Sequence, residues 1–175
     1  QLPAMQKLMR SLASKYTTGI HPSYGSHNNQ AILQEEIALL QRATGTAVSR
    51  SRQHYIRFTL PETYERLIEA DITDDYSMGY ASANGFRAGT SQSFPWYNLE
   101  TEEATTLRIH PFAFMEATSK FYNKQSPDEA WKEWEQLWHA VKNVNGTFIS
   151  ICHNHLLGPA PENKGWREWY EKVLA

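Results

Sequence analysis

At 175 residues, with 41% hydrophobic and 21% charged side chains, the chain has the composition of an ordinary globular domain. Its formal net charge of −2 gives no general reason to expect a nucleic acid or an anionic membrane surface as partner. The single cysteine, Cys152, excludes an internal disulfide and a cysteine-rich zinc module, and no apolar run approaches the roughly 20 residues of a membrane span. We therefore expect one domain over residues 1–175, located in the cytoplasm.

The first elements are two helices with a short strand between them. Apolar residues recur at helical spacing over residues 2–14, which predicts a helix, and a strand is expected at residues 16–20. A second helix is predicted from Asn29 to about Ala43, with Gly45 closing it.

The middle of the chain predicts strands around one helix and a long loop. TAVSRS (46–51) is typical of a strand, and Pro61 opens a helix because proline is tolerated in a first turn. ITDDYS (72–77) predicts a strand end and TTLRIH (105–110) another strand. Residues 78–103 are rich in Gly, Asn, Ser and Pro without a sustained period, so we expect a long loop there.

The last third predicts a helix, a strand and a terminal helix. Ser126 and Glu129 form a capping-box pattern at the start of a helix that Asn145-Gly146 would end. TFISIC (147–152) predicts the last strand, and Trp166, Tyr170 and Val173 support a terminal helix.

Strand and helix therefore alternate about five times, which predicts an α/β fold with a mainly parallel sheet. Reactive side chains follow the predicted strands one after another: His21, Arg52 with His54, Asp74 with Asp75, His110, and His153 with His155. Sites in parallel α/β folds form at the carboxyl ends of the strands, so we expect these side chains to converge there.

Four segments, HPSYGS, SRQHYIRF, DYSMGYASANGFRAG and ICHN, resemble in order and spacing the polysaccharide deacetylase (NodB-homology) family, most closely a divergent bacterial branch. The resemblance covers nearly the whole chain, but only as the later two-thirds of the usual domain. It implies an incomplete, distorted (β/α) barrel. It also implies a divalent metal, usually zinc, and the removal of N- or O-acetyl groups from carbohydrate.

The resemblance implies a metal site around His21. The family has a second histidine ligand four residues later, but this position is Gly25 here. His54 is a candidate replacement ligand, and His27 is a second, weaker candidate. We therefore predict His21 and His54 as the metal-binding residues.

The resemblance also implies catalytic roles. Arg52 matches the arginine that orients the base, and the backbone N–H of Tyr55 matches a contributor to the oxyanion site. His153 matches the general acid, and the aspartate that shapes its surroundings would be Asp74 or Asp75, of which we predict Asp75.

Substrate contacts are predicted at Arg87, which sits in the loop segment GFRAG, and at Trp96, whose ring would suit stacking on a sugar. The family's Asp-Asp pair would precede Gln1, so we expect this chain alone to bind zinc weakly or not at all. The competing interpretation is a non-catalytic carbohydrate-binding or interaction domain that kept the fold, and a third is an unrelated metal hydrolase on the same strand ends. The sequence does not determine the oligomeric state.

Overall fold

Parallel strand pairing organises residues 3–175, the part of the chain that this computed structural model describes. These residues form two compact units. Unit 1 contains the described residues up to Ser77 together with Phe94–His110, and unit 2 contains Met78–Ser93 together with Pro111–Ala175. Each unit thus draws on two separate segments of the chain, and the single domain over residues 1–175 stays a prediction.

The helices of unit 1 begin and end close to the positions that their sequence signals predict. They are α1 (Pro3–Ala13), α2 (Gln30–Thr44) and α3 (Glu62–Glu69). The side chain of Asn29 caps α2 by accepting the N–H of Ile32 at 3.2 Å. Gly45 ends α2 in the left-handed conformation, with φ of 78°. Leu2, the expected first residue of the first helix, lies outside the described residues.

The sheet of unit 1 is open and mostly parallel. Its strands are β1 (Arg50–Ser51), β2 (Asp74–Asp75), β3 (Phe94–Asn98) and β4 (Glu103–Ile109), in the spatial order β1-β2-β4-β3. β1, β2 and β4 are parallel, whereas β3 pairs with β4 in the antiparallel sense. The strand expected at residues 16–20 is reduced to one parallel bridge between Ile20 and Ser51.

The prediction of a long loop over residues 78–103 is wrong in its last part, because β3 (Phe94–Asn98) pairs with β4 inside that range. β3 lies at the edge of the sheet, which is where a strand tolerates a proline such as Pro95. The pairing register also shifts between Pro95 and Tyr97. The proline and the surrounding Gly and Ser residues are typical of a loop, so the sequence pattern did not predict this edge strand.

Unit 2 combines a two-stranded parallel sheet with two helices and a π-helical turn. Its elements are β5 (Phe114–Met115), the turn Thr118–Tyr122, α4 (Pro127–Asn143), β6 (Ser150–Ile151) and α5 (Trp166–Leu174). The predicted capping box is present: the Ser126 hydroxyl accepts the N–H of Glu129, whose carboxylate accepts the Ser126 N–H at 2.8 Å. These hydrogen bonds hold the pKa of Glu129 below its ordinary value.

A column of three stacked indoles runs along α4. The centroids of Trp131 and Trp134 are 5.1 Å apart, and those of Trp134 and Trp138 are 6.2 Å apart. The ammonium of Lys172 lies 3.8 Å from the Trp131 centroid, and that of Lys142 lies 4.7 Å from the Trp138 centroid. These tryptophans therefore fill and cover the core of unit 2.

The predicted α/β class and mostly parallel pairing are confirmed. Within residues 3–175 neither sheet closes on itself, so the incomplete barrel stays a prediction. No helix among those residues has both the length and the apolarity needed to cross a membrane.

Candidate functional site

The parallel register of unit 1 brings polar residues to one edge of its sheet. Four positions are aligned across the parallel pairs: Ile20, Ser51, Asp75 and Ile109. The residues that follow them are His21, Arg52, Tyr76 and His110, which we call the unit 1 edge. Within unit 1, the polar residues that follow the parallel strands therefore lie at the same edge of the sheet, as expected.

His21 is held in one tautomer by the backbone. Its ring Nδ1 lies 2.7 Å from the carbonyl oxygen of Arg52. Because a carbonyl oxygen only accepts, Nδ1 carries the proton, and Nε2 of the neutral ring keeps its lone pair. The side chain is exposed, so this orientation suits a metal ligand or a proton acceptor.

His54, the other predicted metal ligand, lies beside His21. The two ring centroids are 4.7 Å apart at an interplanar angle of 70°. Zinc sites in proteins use three or four protein ligands. Across residues 3–175, no group of three or more His, Cys, Asp or Glu side chains is arranged to hold a metal ion. The described residues therefore do not fit a zinc site by themselves, because they supply two adjacent imidazoles.

Arg52 is fixed by a contact with the next strand end. Its Nε donates to the carbonyl oxygen of Tyr76 at 3.2 Å, and its guanidinium carbon lies 5.9 Å from the centre of the Tyr76 ring. The Tyr76 ring in turn stacks on His110, with centroids 4.4 Å apart and planes only 9° apart. The unit 1 edge is therefore one connected set of side chains.

Asp74 anchors the other end of this set. Its Oδ1 lies 2.7 Å from Nε2 of His110, and its Oδ2 accepts from the Thr73 hydroxyl at 2.7 Å. Burial alone would raise the pKa of Asp74, but the bonds from Thr73 and His110 and the positive charges of His110 and Arg50 outweigh it. The pKa is therefore lowered, and Asp74 is an ionised acceptor at neutral pH.

Asp75 lies in the core and does not reach solvent. Its side chain accepts from the hydroxyls of Ser51 at 2.6 Å and Ser77 at 2.8 Å, and from the Ser77 N–H at 2.9 Å. Burial raises its pKa and outweighs these bonds and the charge of Arg52, which act in the opposite direction. Asp75 is fully buried and therefore does not reach a substrate directly, and its predicted role in shaping the surroundings of the acid stays a prediction.

Unit 2 carries a carboxylate–imidazole pair at the ends of β5 and β6. Oε1 of Glu116 accepts the backbone N–H of His153 and lies 2.9 Å from its ring Nδ1. The Glu116 side chain is 3% exposed and that of His153 is 33% exposed. The other carboxylate oxygen of Glu116 is buried and has no hydrogen-bond partner within residues 3–175. The pair therefore fixes the orientation of the His153 ring through Nδ1.

Glu116 is a candidate site residue that the sequence interpretation did not include. That interpretation assigned the carboxylate near His153 to Asp74 or Asp75, whereas the carboxylate bonded to His153 is that of Glu116. The available signal was its position directly after the apolar pair Phe114-Met115, since polar residues follow the other strands in the same way.

The remaining predicted site residues occupy different environments. Arg87 is exposed in unit 2, where it donates to the Gly79 carbonyl at 3.2 Å. Tyr55 is 69% exposed in unit 1. Trp96 is only 9% exposed and packs against Tyr64, with centroids 5.4 Å apart. Trp96 therefore packs in the core of unit 1, and the substrate and oxyanion roles of Trp96, Arg87 and Tyr55 stay predictions.

Comparison with known proteins relates the fold to solved structures. No protein-family model matches the sequence, and no curated protein matches it. One of the similar solved structures is described as a "putative polysaccharide deacetylase" from Mycobacterium smegmatis, and it superimposes with a TM-score of 0.67 at 15% sequence identity. The match covers 97% of this chain and 61% of the other, so this chain spans about three-fifths of that protein's length. At this identity the similarity shows the fold alone.

Proposed function

We propose that this chain forms part of a carbohydrate deacetylase-like hydrolase, in which His153 donates the proton to the leaving group. The observation that carries the proposal is the contact of His153 with the buried carboxylate of Glu116, directly after two parallel strands. The similarity of the fold to a structure described as a polysaccharide deacetylase supports the choice of substrate class.

Removal of an acetyl group from a sugar requires a proton for the departing oxygen or nitrogen. An imidazole serves this purpose when one nitrogen is held and the other reaches the reacting atoms. Glu116 holds Nδ1 of His153, and its negative charge, when ionised, favours the imidazolium form that can donate from Nε2. The one-third exposure of the His153 side chain gives a substrate access to it.

Unit 1, considered by itself, carries three residues to which the resemblance assigns parts of the same chemistry, namely His21, Arg52 and Tyr55. His21 would present a ring nitrogen to a metal, Arg52 would orient a carboxylate base, and the backbone N–H of Tyr55 would donate to an acyl oxygen as negative charge develops on it. His21 and His54 would hold a zinc ion only together with ligands that the described residues do not supply, and such an ion would provide activated water for the hydrolysis. Because His21 and His54 are two ligands, we propose that zinc binding by this chain alone is weak.

A second candidate is a non-catalytic carbohydrate-binding domain. It is favoured by the lack of a group of three metal-binding side chains within residues 3–175 and by the full burial of Asp75. Both candidates share a carbohydrate ligand and differ in whether the acetyl group is released.

Acetate release separates the two. The complete gene product is incubated with N-acetylglucosamine oligomers and with acetylated xylan oligomers, with and without a chelator. Release that the chelator suppresses and His153→Ala abolishes supports the hydrolase, provided that His139→Ala, an exposed histidine on α4, retains full activity. Binding of the same oligomers without any acetate release would select the binding domain.

A further inference from the structure

A row of four aromatic rings, three of them exposed and that of His54 half-buried, extends from His21 across the surface of unit 1. Tyr24 is 55% exposed and Tyr55 is 69% exposed, and their rings meet edge to face with centroids 6.0 Å apart. The ring centroids of Tyr55 and His54 are 4.6 Å apart, and those of His54 and His21 are 4.7 Å apart. We call these four side chains the aromatic row. Contiguous exposed rings of this kind commonly mark a binding surface.

Arg57 lies at the Tyr24 end of the aromatic row. Its guanidinium carbon is 4.2 Å from the centroid of the Tyr24 ring, which is cation–π geometry. Within residues 3–175, no carboxylate or carbonyl oxygen accepts a hydrogen bond from this guanidinium. A planar guanidinium presents its N–H donors in a fork that matches a carboxylate or a phosphate. Arg57 is therefore placed and equipped to bind an anion.

The positive charge of Arg57 also acts on the nearby His27. Burial is the main cause of the lowered pKa of His27, and the charges of Arg57 and Arg66 lower it further. Arg66 itself donates to the carbonyl oxygen of His27 at 2.6 Å. Two guanidinium groups, those of Arg57 and Arg66, therefore act on the same imidazole near the Tyr24 end of the aromatic row.

The backbone holds Tyr55 in the exposed position at a cost in conformational energy. Tyr55 has φ of 56° and Ile56 has φ of 53°, so two successive residues that are not glycine adopt the left-handed conformation. A β-branched residue such as Ile56 rarely adopts it, and such strain is concentrated at binding and active sites. Tyr55 thus gains neither burial nor relaxed backbone from its position, which favours a role in ligand contact.

We propose that Tyr24, Tyr55 and Arg57 bind an acidic sugar residue, with Arg57 pairing its anionic group and the tyrosine rings packing on its apolar face. This inference rests on the proposed function, because it takes the ligand to be a carbohydrate and names its class. The anionic group is a carboxylate, as in a uronic acid, or a phosphate ester on a sugar. A flat guanidinium recognises both by two parallel hydrogen bonds.

Calorimetric titration of this chain with matched ligands tests the proposal. The probes are trigalacturonate and its full methyl ester, which has the same sugar units without the charge, and glucose 6-phosphate against glucose, all in phosphate-free buffer of low ionic strength. We expect the acidic member of at least one pair to bind about tenfold more tightly than its neutral partner, the gain of one charge-assisted contact. The pair that shows the difference identifies the anionic group.

The variants separate charge from stacking. Arg57→Gln should abolish the preference for the acidic ligand, whereas Arg42→Gln, which removes an equal charge from the exposed face of α2, should preserve it. Tyr24→Leu and Tyr55→Leu should weaken the acidic and the neutral sugar alike. Thermal unfolding by circular dichroism shows that each variant is folded before its affinity is compared.

Equal affinity for the acidic and neutral members of both pairs, no binding of any of the four, or a preference unchanged by Arg57→Gln would overturn the proposal. Its failure is distinct from that of the proposed function. Acetate release with no Arg57-dependent binding would support the proposed hydrolase and reject the acidic-sugar site. Arg57-dependent binding without acetate release would support the acidic-sugar site and reject the hydrolase.

Discussion

One carboxylate oxygen of Glu116 accepts both the backbone N–H and the ring Nδ1–H of His153, the latter at 2.9 Å. Two donors from one residue converge on one acceptor, so neither the backbone nor the ring of His153 can rotate without losing a bond. A buried carboxylate thereby sets the orientation of a partly exposed imidazole. This is the arrangement that proton transfer in the proposed reaction requires.

The Glu116–His153 pair predicts graded losses of activity in the complete gene product. We expect His153→Ala to lower kcat for acetate release by about 100-fold or more, because the proton donor is lost. Glu116→Gln keeps the shape and one accepting oxygen but removes the charge, so its loss should be smaller, with little change in KM. Steady-state kinetics across pH 5 to 9, roughly the range in which histidine titrates, measure both.

The double variant provides the control for this pair. If Glu116 acts through His153, the substitution Glu116→Gln should cost almost nothing further in the His153→Ala background. Independent, additive losses would show that Glu116 supports activity by some other route, such as the stability of unit 2.

Zinc titration tests the incomplete ligand set of the unit 1 edge. We expect this chain to bind zinc weakly, with half-saturation above about 10 µM, because two imidazoles fall short of a structural or catalytic set. His21→Ala and His54→Ala should each remove the residual binding seen by calorimetry, and His139→Ala should leave it. Tight one-to-one binding that survives both substitutions would remove His21 and His54 from the metal site.

The buried carboxyl of Asp75 predicts a pH dependence of stability. Its raised pKa means that the folded chain holds this proton more tightly than the unfolded chain. The resulting stabilisation is fully present below the ordinary value of 3.8 and is lost as the pH rises through the folded-state pKa. Asp75→Asn mimics the protonated carboxyl and does not titrate, so its free energy of unfolding should fall less with rising pH than that of wild type.

Urea unfolding between pH 4 and 8, a range that begins about at the unfolded-state pKa, measures this difference. Asp71→Asn is the control, because Asp71 is exposed after α3 and its left-handed conformation also suits asparagine. A constant difference between wild type and Asp75→Asn across this range would contradict the prediction.

Gly19 lies where the main chain packs too closely to leave room for a side chain. An added Cβ at Gly19 would lie 2.8 Å from the backbone oxygen of Arg50, which accepts the Ile20 N–H in the parallel bridge. We expect Gly19→Ala to lower the free energy of unfolding by about 1–3 kcal/mol, since the main chain must move to make room. Gly25→Ala is the matched control, with its nearest atom an ordinary 3.9 Å away. Equal stability of the two variants in urea would exclude the predicted crowding.

Local signals predicted the helices well because those signals are short-range. The caps at Asn29 and Ser126 act within three residues, so the sequence alone placed the starts of α2 and α4. The strands were harder to place, since β1, β2, β5 and β6 have two residues each and depend on partners distant in sequence.

Part of the candidate site was predictable from the order of the strands. His21 and Arg52 follow strands that pair in parallel, so their proximity could be inferred from strand order. The difference between Asp74 and Asp75 could not, because adjacent strand residues face opposite sides and the sequence does not say which side is the core. The burial of Trp96 could not be predicted either, because it depends on contacts such as that with Tyr64.

The indole column of α4 also makes unit 2 an optical reporter. Of the six tryptophans, Trp96 lies in unit 1 and the other five lie in unit 2. Tryptophan fluorescence, excited at a wavelength that tyrosine does not absorb, is therefore emitted mostly from unit 2, and in a Trp96→Phe variant it comes from unit 2 alone. Comparing that emission with far-ultraviolet ellipticity during denaturation shows whether the two units melt together, because coincident transitions define a single cooperative unit. The stacked rings thus allow the folding of unit 2 to be followed without an added label.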